Sequence, residues 1–177
     1  MSEMIIKIQE IGPDGETRSL AFEPAWFAKA LSGVDVQLGA SRAGADVDIH
    51  KVGENVMVHG RMYGAATVPC ARCLQPALVD LAGSIHMTYS RDTEVVDAEM
   101  ENPDDDVDFA TYEGDEIDLG ELFREQILLA IPMTPLCREE CKGLCSQCGK
   151  DLNQGPCTCE APHKGSPFDA LKGLKLS

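Results

Sequence analysis

Residues 137–159 read CREECKGLCSQCGKDLNQGPCTC and hold six of the chain's eight cysteines. The stretch Cys145-Ser146-Gln147-Cys148-Gly149-Lys150 has the shape of a zinc knuckle. C-x-x-C turns the chain tightly enough for both sulfurs to face one point. The glycine lets backbone amides swing toward a sulfur. Cys157 and Cys159 follow after a loop that contains Gly155-Pro156, and two short pairs of thiolates can close a tetrahedron around Zn²⁺. Cys137 and Cys141 precede the knuckle, and with Cys145 and Cys148 they form another plausible quartet. A further C-x-x-C lies far upstream, at Cys70-Ala71-Arg72-Cys73. Six or eight sulfurs exceed one tetrahedral site. One partition puts Cys145, Cys148, Cys157 and Cys159 in one site and Cys70, Cys73, Cys137 and Cys141 in a second. That second site would staple the C-terminal segment to the body. In the alternative, one site forms and the other thiols are spectators. The spacing therefore predicts one structural zinc, with sulfur enough for two.

Other thiol chemistries fit less well. The N-terminal MSEMIIKIQEIGPDG lacks a basic segment followed by an apolar run, and no stretch approaches a membrane span, so a cytoplasmic protein with reduced thiols is expected. A thioredoxin-type C-x-x-C opens a helix, whereas Cys70 and Cys73 stand between strand-like stretches. An iron–sulfur cluster could use four of these thiolates. A catalytic zinc keeps a position open for water, and His163 is the one histidine near the knuckle. His50, His59 and His86 fall in strand regions, where surface or satisfied core positions are expected. Neither G-x-x-x-x-G-K-[ST] nor G-x-G-x-x-G occurs, and no nucleophile-elbow context is found. The protein is expected not to be an enzyme.

The elements that must hold these sulfurs read as an α+β fold. Residues 4–10 and 17–22 look like strands on either side of a Gly12-Pro13-Asp14-Gly15 turn. Residues 24–31 read as a short helix with proline in its first turn, ended by Gly33. From Val34 to Ser90 apolar and polar residues alternate, which predicts an antiparallel β-sheet or partial barrel with one wet face. Gly60, Gly64 and Gly83 suggest bulges or bends. Asp118-Leu119-Gly120-Glu121 is a capping box. Behind it Leu119, Leu122, Phe123, Gln126, Ile127 and Ala130 share one face of a packed helix that Pro132 ends. In the tail, Phe168, Leu171 and Leu174 form a second helical stripe. The expected organisation is a core domain over 1–132 and a small Cys-rich zinc-knuckle module with a helical tail over 133–177, packed on that core.

Charge narrows the partner. The chain has 15 Lys and Arg against 30 Asp and Glu, a net charge of −15. Residues 1–132 hold 9 basic and 25 acidic residues, and residues 133–177 hold 6 and 5. Each tetrathiolate zinc site would add two further negative charges. An acidic body repels phosphates and suits a basic partner such as a ribosomal protein. Residues 92–108 carry nine acids and no base, read as a solvated loop or as a decoy for such a partner. Candidate RNA or partner contacts are confined to the C-terminal part: Arg138, Lys142 and Lys150, with Lys164, Lys172 and Lys175.

Val68-Pro69-Cys70-Ala71-Arg72-Cys73-Leu74, then Asp118-Leu119, then Ile131-Pro132-Met133-Thr134-Pro135-Leu136-Cys137 occur in an order that resembles the YceD family. So do Cys141 to Asn153 and Pro167 to Leu174. These are bacterial proteins, found also in chloroplasts, named for large-subunit ribosomal RNA accumulation. The resemblance covers about residues 34–177. It implies a non-enzymatic role in accumulation or maturation of 23S rRNA in the cytoplasm. Binding of a basic ribosomal protein or a pre-ribosomal large-subunit particle would serve that role. Direct contact of a zinc-dependent module with rRNA is the alternative, and a thiol redox protein the remaining one.

Overall fold

Glycines and prolines cut the chain into short strands. The computed structural model describes residues 4–91 and 108–159. These carry β1 (Ile5–Lys7), β2 (Glu16–Ala21), α1 (Pro24–Ala30), β3 (Gln37–Leu38), β4 (Gly44–Val52) and β5 (Asn55–Tyr63). They continue with β6 (Ala65–Pro69), β7 (Pro76–Asp80), β8 (Gly83–Ser90), β9 (Asp108–Thr111), β10 (Glu116–Asp118) and α2 (Leu119–Ala130). The acidic stretch 92–107 lies outside the described residues. So do His163, the Phe168, Leu171 and Leu174 stripe, and Lys164, Lys172 and Lys175.

The class is α+β, as expected, but the strands do not form one antiparallel sheet. Among the described residues three sheets form: β2-β4-β5-β8-β9, β3-β6-β7, and the pair β1-β10. β2 and β9 are the two edges of the largest sheet, which therefore stays open. β9 runs parallel to β8, in the register Met87 with Asp108 through Ser90 with Thr111. A parallel neighbour needs a connection of a dozen or more residues, and 92–107 supply that length. Asp108, read from sequence as the end of the acidic loop, is the first residue of β9. Tyr112 secures the strand's exit. Its hydroxyl donates to the Glu54 carbonyl at 2.7 Å, and the Arg91 guanidinium lies 5.2 Å above its ring.

The periodicity that gave one long run at 55–68 hides a change of sheet. β5 belongs to the large sheet and β6 to the small one, and Gly64 between them has φ 116°. A side chain there would collide with Ala43, so only glycine makes this corner. Gly60 is no bulge, because the register passes through it unbroken, Val47 to Gly60 to Ile85.

The two layers share one core. Val47, Ile49, Val56, Val58 and Ile85 on the large sheet are buried, as are Leu119, Leu122, Phe123 and Ile127 on α2. Gln126 and Ala130 sit at the margin of that face, half-buried. Phe22 stacks between Trp26 and Phe123 with ring centroids 5.0 and 5.4 Å away. Arg124 Nε donates to the Ala30 carbonyl at 2.8 Å, which satisfies an orphan acceptor at the end of α1. The Asp118 cap bonds the amide of Gly120 at 2.8 Å, one residue short of the capping-box position. Full burial of a side chain such as Phe123 contributes roughly 2–3 kcal/mol, so this face fixes where α2 ends. Its C-terminal end delivers residues 132–137 to the β6–β7 hairpin, where Pro135 O accepts the Ala71 amide at 2.8 Å.

Candidate metal centre

The β6–β7 hairpin closes on Pro69 opposite Pro76, and its loop is the first C-x-x-C. Three features shape that loop. The Leu74 amide donates to the Cys70 carbonyl at 3.0 Å, the Cys70 amide donates to the Gln75 carbonyl at 2.9 Å, and Leu74 has φ 60°. The second C-x-x-C repeats all three. The Gly149 amide donates to the Cys145 carbonyl at 2.9 Å, the Cys145 amide donates to the Lys150 carbonyl at 2.8 Å, and Gly149 has φ 70°. The two knuckles are one turn built twice. In each, backbone N–H groups inside the turn point at the first sulfur, those of Arg72 and Cys73 at Cys70 and those of Gln147 and Cys148 at Cys145.

The sulfurs converge in two sets: Cys70, Cys73, Cys137 and Cys141, and Cys145, Cys148, Cys157 and Cys159. Within each set all four Sγ atoms lie within 4.8 Å of one another. This grouping matches one of the partitions that the spacing allows. Among the described residues no other group of three or more His, Cys, Asp or Glu brings its ligand atoms together in this way. Cys70 to Cys141 is 3.8 Å, Cys73 to Cys137 is 3.6 Å and Cys145 to Cys157 is 3.4 Å. Sulfurs at about 2.3 Å from a central zinc stand about 3.8 Å apart along a tetrahedral edge. A disulfide needs about 2.05 Å, and all eight thiols are free. The donor chemistry and the separations therefore fit a four-coordinate thiophilic ion at each set.

The sets differ in depth. Cys70, Cys73 and Cys141 are buried within the hydrophobic core, with Cys137 packed against it. In the second set Cys148 is exposed and the other three are half-buried. The first set is thus a junction between the hairpin loop and the segment after α2. Arg72 seals that junction. Its Nη1 donates to the Cys141 carbonyl at 2.9 Å and to the Glu139 carbonyl at 3.4 Å, and its own carbonyl accepts the Leu144 amide at 3.1 Å. Gly143, at φ 73°, lies so close to Arg72 that a Cβ would stand 2.9 Å from the Arg72 carbonyl oxygen.

Thiolate formation is biased within each set. Burial raises Cys70, but N–H donation from Cys137, Arg72 and Cys73 overcomes it and holds the thiol down to about 6. The Arg72 amide lies 3.5 Å from that sulfur. Backbone N–H groups of Cys148 and Gln147 hold Cys145 down to about 6 as well. At Cys73 the Gln75 amide lowers the thiol, but burial and the three neighbouring sulfurs win and push it up to about 12. Cys159 is pushed up to about 12 by Cys148 and by burial. Burial raises Cys141 too, but the Asn153 side chain and the Gly143 amide outweigh it and lower the thiol, while burial raises Cys137. Each set thus combines sulfurs that ionise readily with sulfurs that resist it.

The three described basic candidates, Arg138, Lys142 and Lys150, are all exposed. Lys150 Nζ donates to the Pro156 carbonyl at 2.9 Å, inside the knuckle loop. Arg138 lies near enough to Asp151 to help lower its carboxyl, after the N–H groups of Asn153. Lys142 is exposed, with its backbone amide bound to Asn153 Oδ1 at 2.8 Å. His59 and His86 face each other across β5 and β8 with Nδ1 atoms 3.2 Å apart, and neither belongs to a sulfur set. Sequence reasoning missed Arg72 and Asn153 as partners of the sulfurs. A charged residue inside the first C-x-x-C was the available signal for Arg72. Asn153, twelve residues from the sulfur it touches, gave none.

No helix among the described residues is long and apolar enough to cross a membrane. The family model described as Large ribosomal RNA subunit accumulation protein YceD matches residues 58–175, which include all eight cysteines. The Zea mays protein named Large ribosomal RNA subunit accumulation protein YCED homolog 1, chloroplastic, is 26% identical over 152 residues, covering 72% of this chain and 52% of that protein. Its Arabidopsis thaliana namesake is 35% identical over 60 residues, 34% of this chain and 19% of that protein. An uncharacterized protein of Mycobacterium tuberculosis is 28% identical over 111 residues, 63% of this chain and 52% of that protein. The chain thus spans about half the length of most curated relatives it matches. No solved structure matches. With the family match extending over more than half of the chain and across both sulfur clusters, the chain belongs to the YceD family.

Proposed function

We propose that this protein is a non-enzymatic accessory factor of ribosome biogenesis in the cytoplasm, supporting accumulation of large-subunit rRNA, with a structural Zn²⁺ at each sulfur cluster. The observation that carries the reading is the closure of both clusters. Four sulfurs at tetrahedral separations leave no position for a water or substrate, so the metal would hold shape instead of performing chemistry. Thiolates committed to zinc are poor redox nucleophiles, which disfavours the redox reading. In this reading residues 1–132 form the body that meets the partner and residues 133–177 the zinc-held module against it. The relatives' printed names supply the ribosomal context.

A basic ribosomal protein, or a pre-ribosomal particle presenting one, suits the acidic body better than naked rRNA does. Lys150 is bonded within the module, while Arg138 and Lys142 are exposed beside acidic Glu139, Glu140 and Asp151, so the described basic strip is short and interrupted by acids. The test is affinity capture of the tagged chain from cell extract with and without nuclease, identifying both protein and RNA. A ribosomal protein retained after nuclease supports the reading. Recovery of rRNA alone, lost with nuclease and steeply weakened by salt, would favour the direct RNA-binding alternative.

A further inference from the structure

Asn153 belongs to the loop between Cys148 and Cys157, yet its side chain reaches the other cluster. Nδ2 donates to Cys141 Sγ at 3.4 Å, and Oδ1 accepts the Lys142 amide at 2.8 Å. The residue is gripped equally from its own loop. Asp151 Oδ1 accepts from the Asn153 backbone amide at 2.9 Å and from Nδ2 at 2.7 Å. An amide nitrogen has two hydrogens, so the sulfur and the carboxylate can both be served. The Leu152 amide donates to the Gly143 carbonyl at 2.9 Å, and Leu144 and Asp151 form an antiparallel bridge. Cluster two's loop is thereby sewn to the peptide that carries Cys141.

We infer that Asn153 couples the two sulfur clusters, so that metal held by Cys145, Cys148, Cys157 and Cys159 raises the metal affinity of Cys70, Cys73, Cys137 and Cys141. The inference rests on the zinc reading above. Closing cluster two fixes the loop from Cys148 to Cys157 and with it the turn from Asp151 to Gln154. That turn aims an N–H at a sulfur of cluster one. A donor to a thiolate is stronger than one to a neutral acceptor, and such outer-shell contacts carry roughly 10- to 100-fold in metal affinity. With cluster two open the loop loses its closure, and the donor is left to the contacts with Lys142, Gly143 and Leu144 alone, which hold it less firmly. Linkage makes the effect reciprocal: metal in cluster one must favour cluster two by the same factor. Asn153 is a positioning residue and not a ligand.

The test is zinc binding by chelator competition on the full chain, read as the overall constant for filling both sites. Beside the neutral N153A, which separates the lost donor from the added charge, N153D keeps the Oδ1 acceptor for Lys142 and replaces the donor to Cys141 and Asp151 by a carboxylate oxygen. It is expected to lower the overall constant about 10-fold in the otherwise native chain. In C157S/C159S, which has lost cluster two, the same change should alter the remaining site by no more than about twofold, the mark of a coupling and not of a local contact. An undiminished 10-fold loss in C157S/C159S would show that Asn153 serves cluster one alone and would overturn the coupling. A full loss in C70S/C73S, where cluster two stands alone, would assign Asn153 to its own loop and overturn it equally, as would no loss in the native chain. Two zinc ions bound independently would remove the coupling and leave the zinc reading standing. No zinc bound by the native chain would remove both.

Discussion

Leu74 and Gly149 occupy the same place in two copies of one turn, each the residue after the second cysteine of a C-x-x-C, with φ of 60° and 70°. The glycine adopts this conformation freely. The leucine does not, and an L-residue held there costs roughly 1–2 kcal/mol. Leu74 recovers little by packing, being 68% exposed. L74G should therefore stabilise the fold, by about 0.5–1 kcal/mol once glycine's greater freedom in the unfolded chain is subtracted. Thermal denaturation of the metal-loaded protein checks this. A fall in melting temperature would contradict it.

Arg72 ties the hairpin loop to the Cys141 peptide through three hydrogen bonds, two of them from its guanidinium. R72A should lower the affinity of the buried cluster about 10-fold and destabilise the fold by about 1–2 kcal/mol. R72K, which lacks the planar fork, should recover only part of either effect. Chelator competition and denaturant titration measure the two independently.

The ionisation pattern gives a pH signature. Cys70 and Cys145, held at about 6 in the fold against a usual 9.0, add stability that is complete above pH 9 and gone below pH 6. Cys73 and Cys159, pushed up to about 12, act oppositely, favouring the fold below pH 9 and losing that contribution as pH rises toward 12. Metal-free protein should therefore gain stability between pH 6 and 9 and lose it above. Zinc demands all four thiolates, so its binding at pH 7 should release protons, those of Cys73 and Cys159 among them, and acidification should expel the metal. Calorimetric titration in buffers of different ionisation enthalpy counts the protons. Zinc uptake with no proton release would exclude thiolate coordination.

Much of this was legible in the sequence, and the gaps have physical causes. Local signals gave the α1 and α2 helices, the Asp118 cap and both knuckles, because caps and C-x-x-C turns depend on neighbours a few residues apart. Alternation gave the strands, but it carries no information on partner or direction. Hence β9's parallel pairing with β8 and the change of sheet at Gly64 were invisible. The pairing of Cys70 and Cys73 with Cys137 and Cys141 could be stated only as one partition among others. What selects it is α2, whose buried face fixes the point from which residues 132–137 reach the hairpin. Asn153 lay beyond sequence reasoning because its contact with Cys141 depends on how two loops meet.

In the proposed reading metal held by sulfur fixes residues 136–159, and the direct measurement is elemental analysis with X-ray absorption of full-length protein purified anaerobically and never exposed to chelator. Two zinc ions per chain, each in a four-sulfur shell at about 2.3 Å, are expected. A metal-free protein that stays ordered from Leu136 to Cys159, or zinc in a shell containing nitrogen or oxygen, would contradict it.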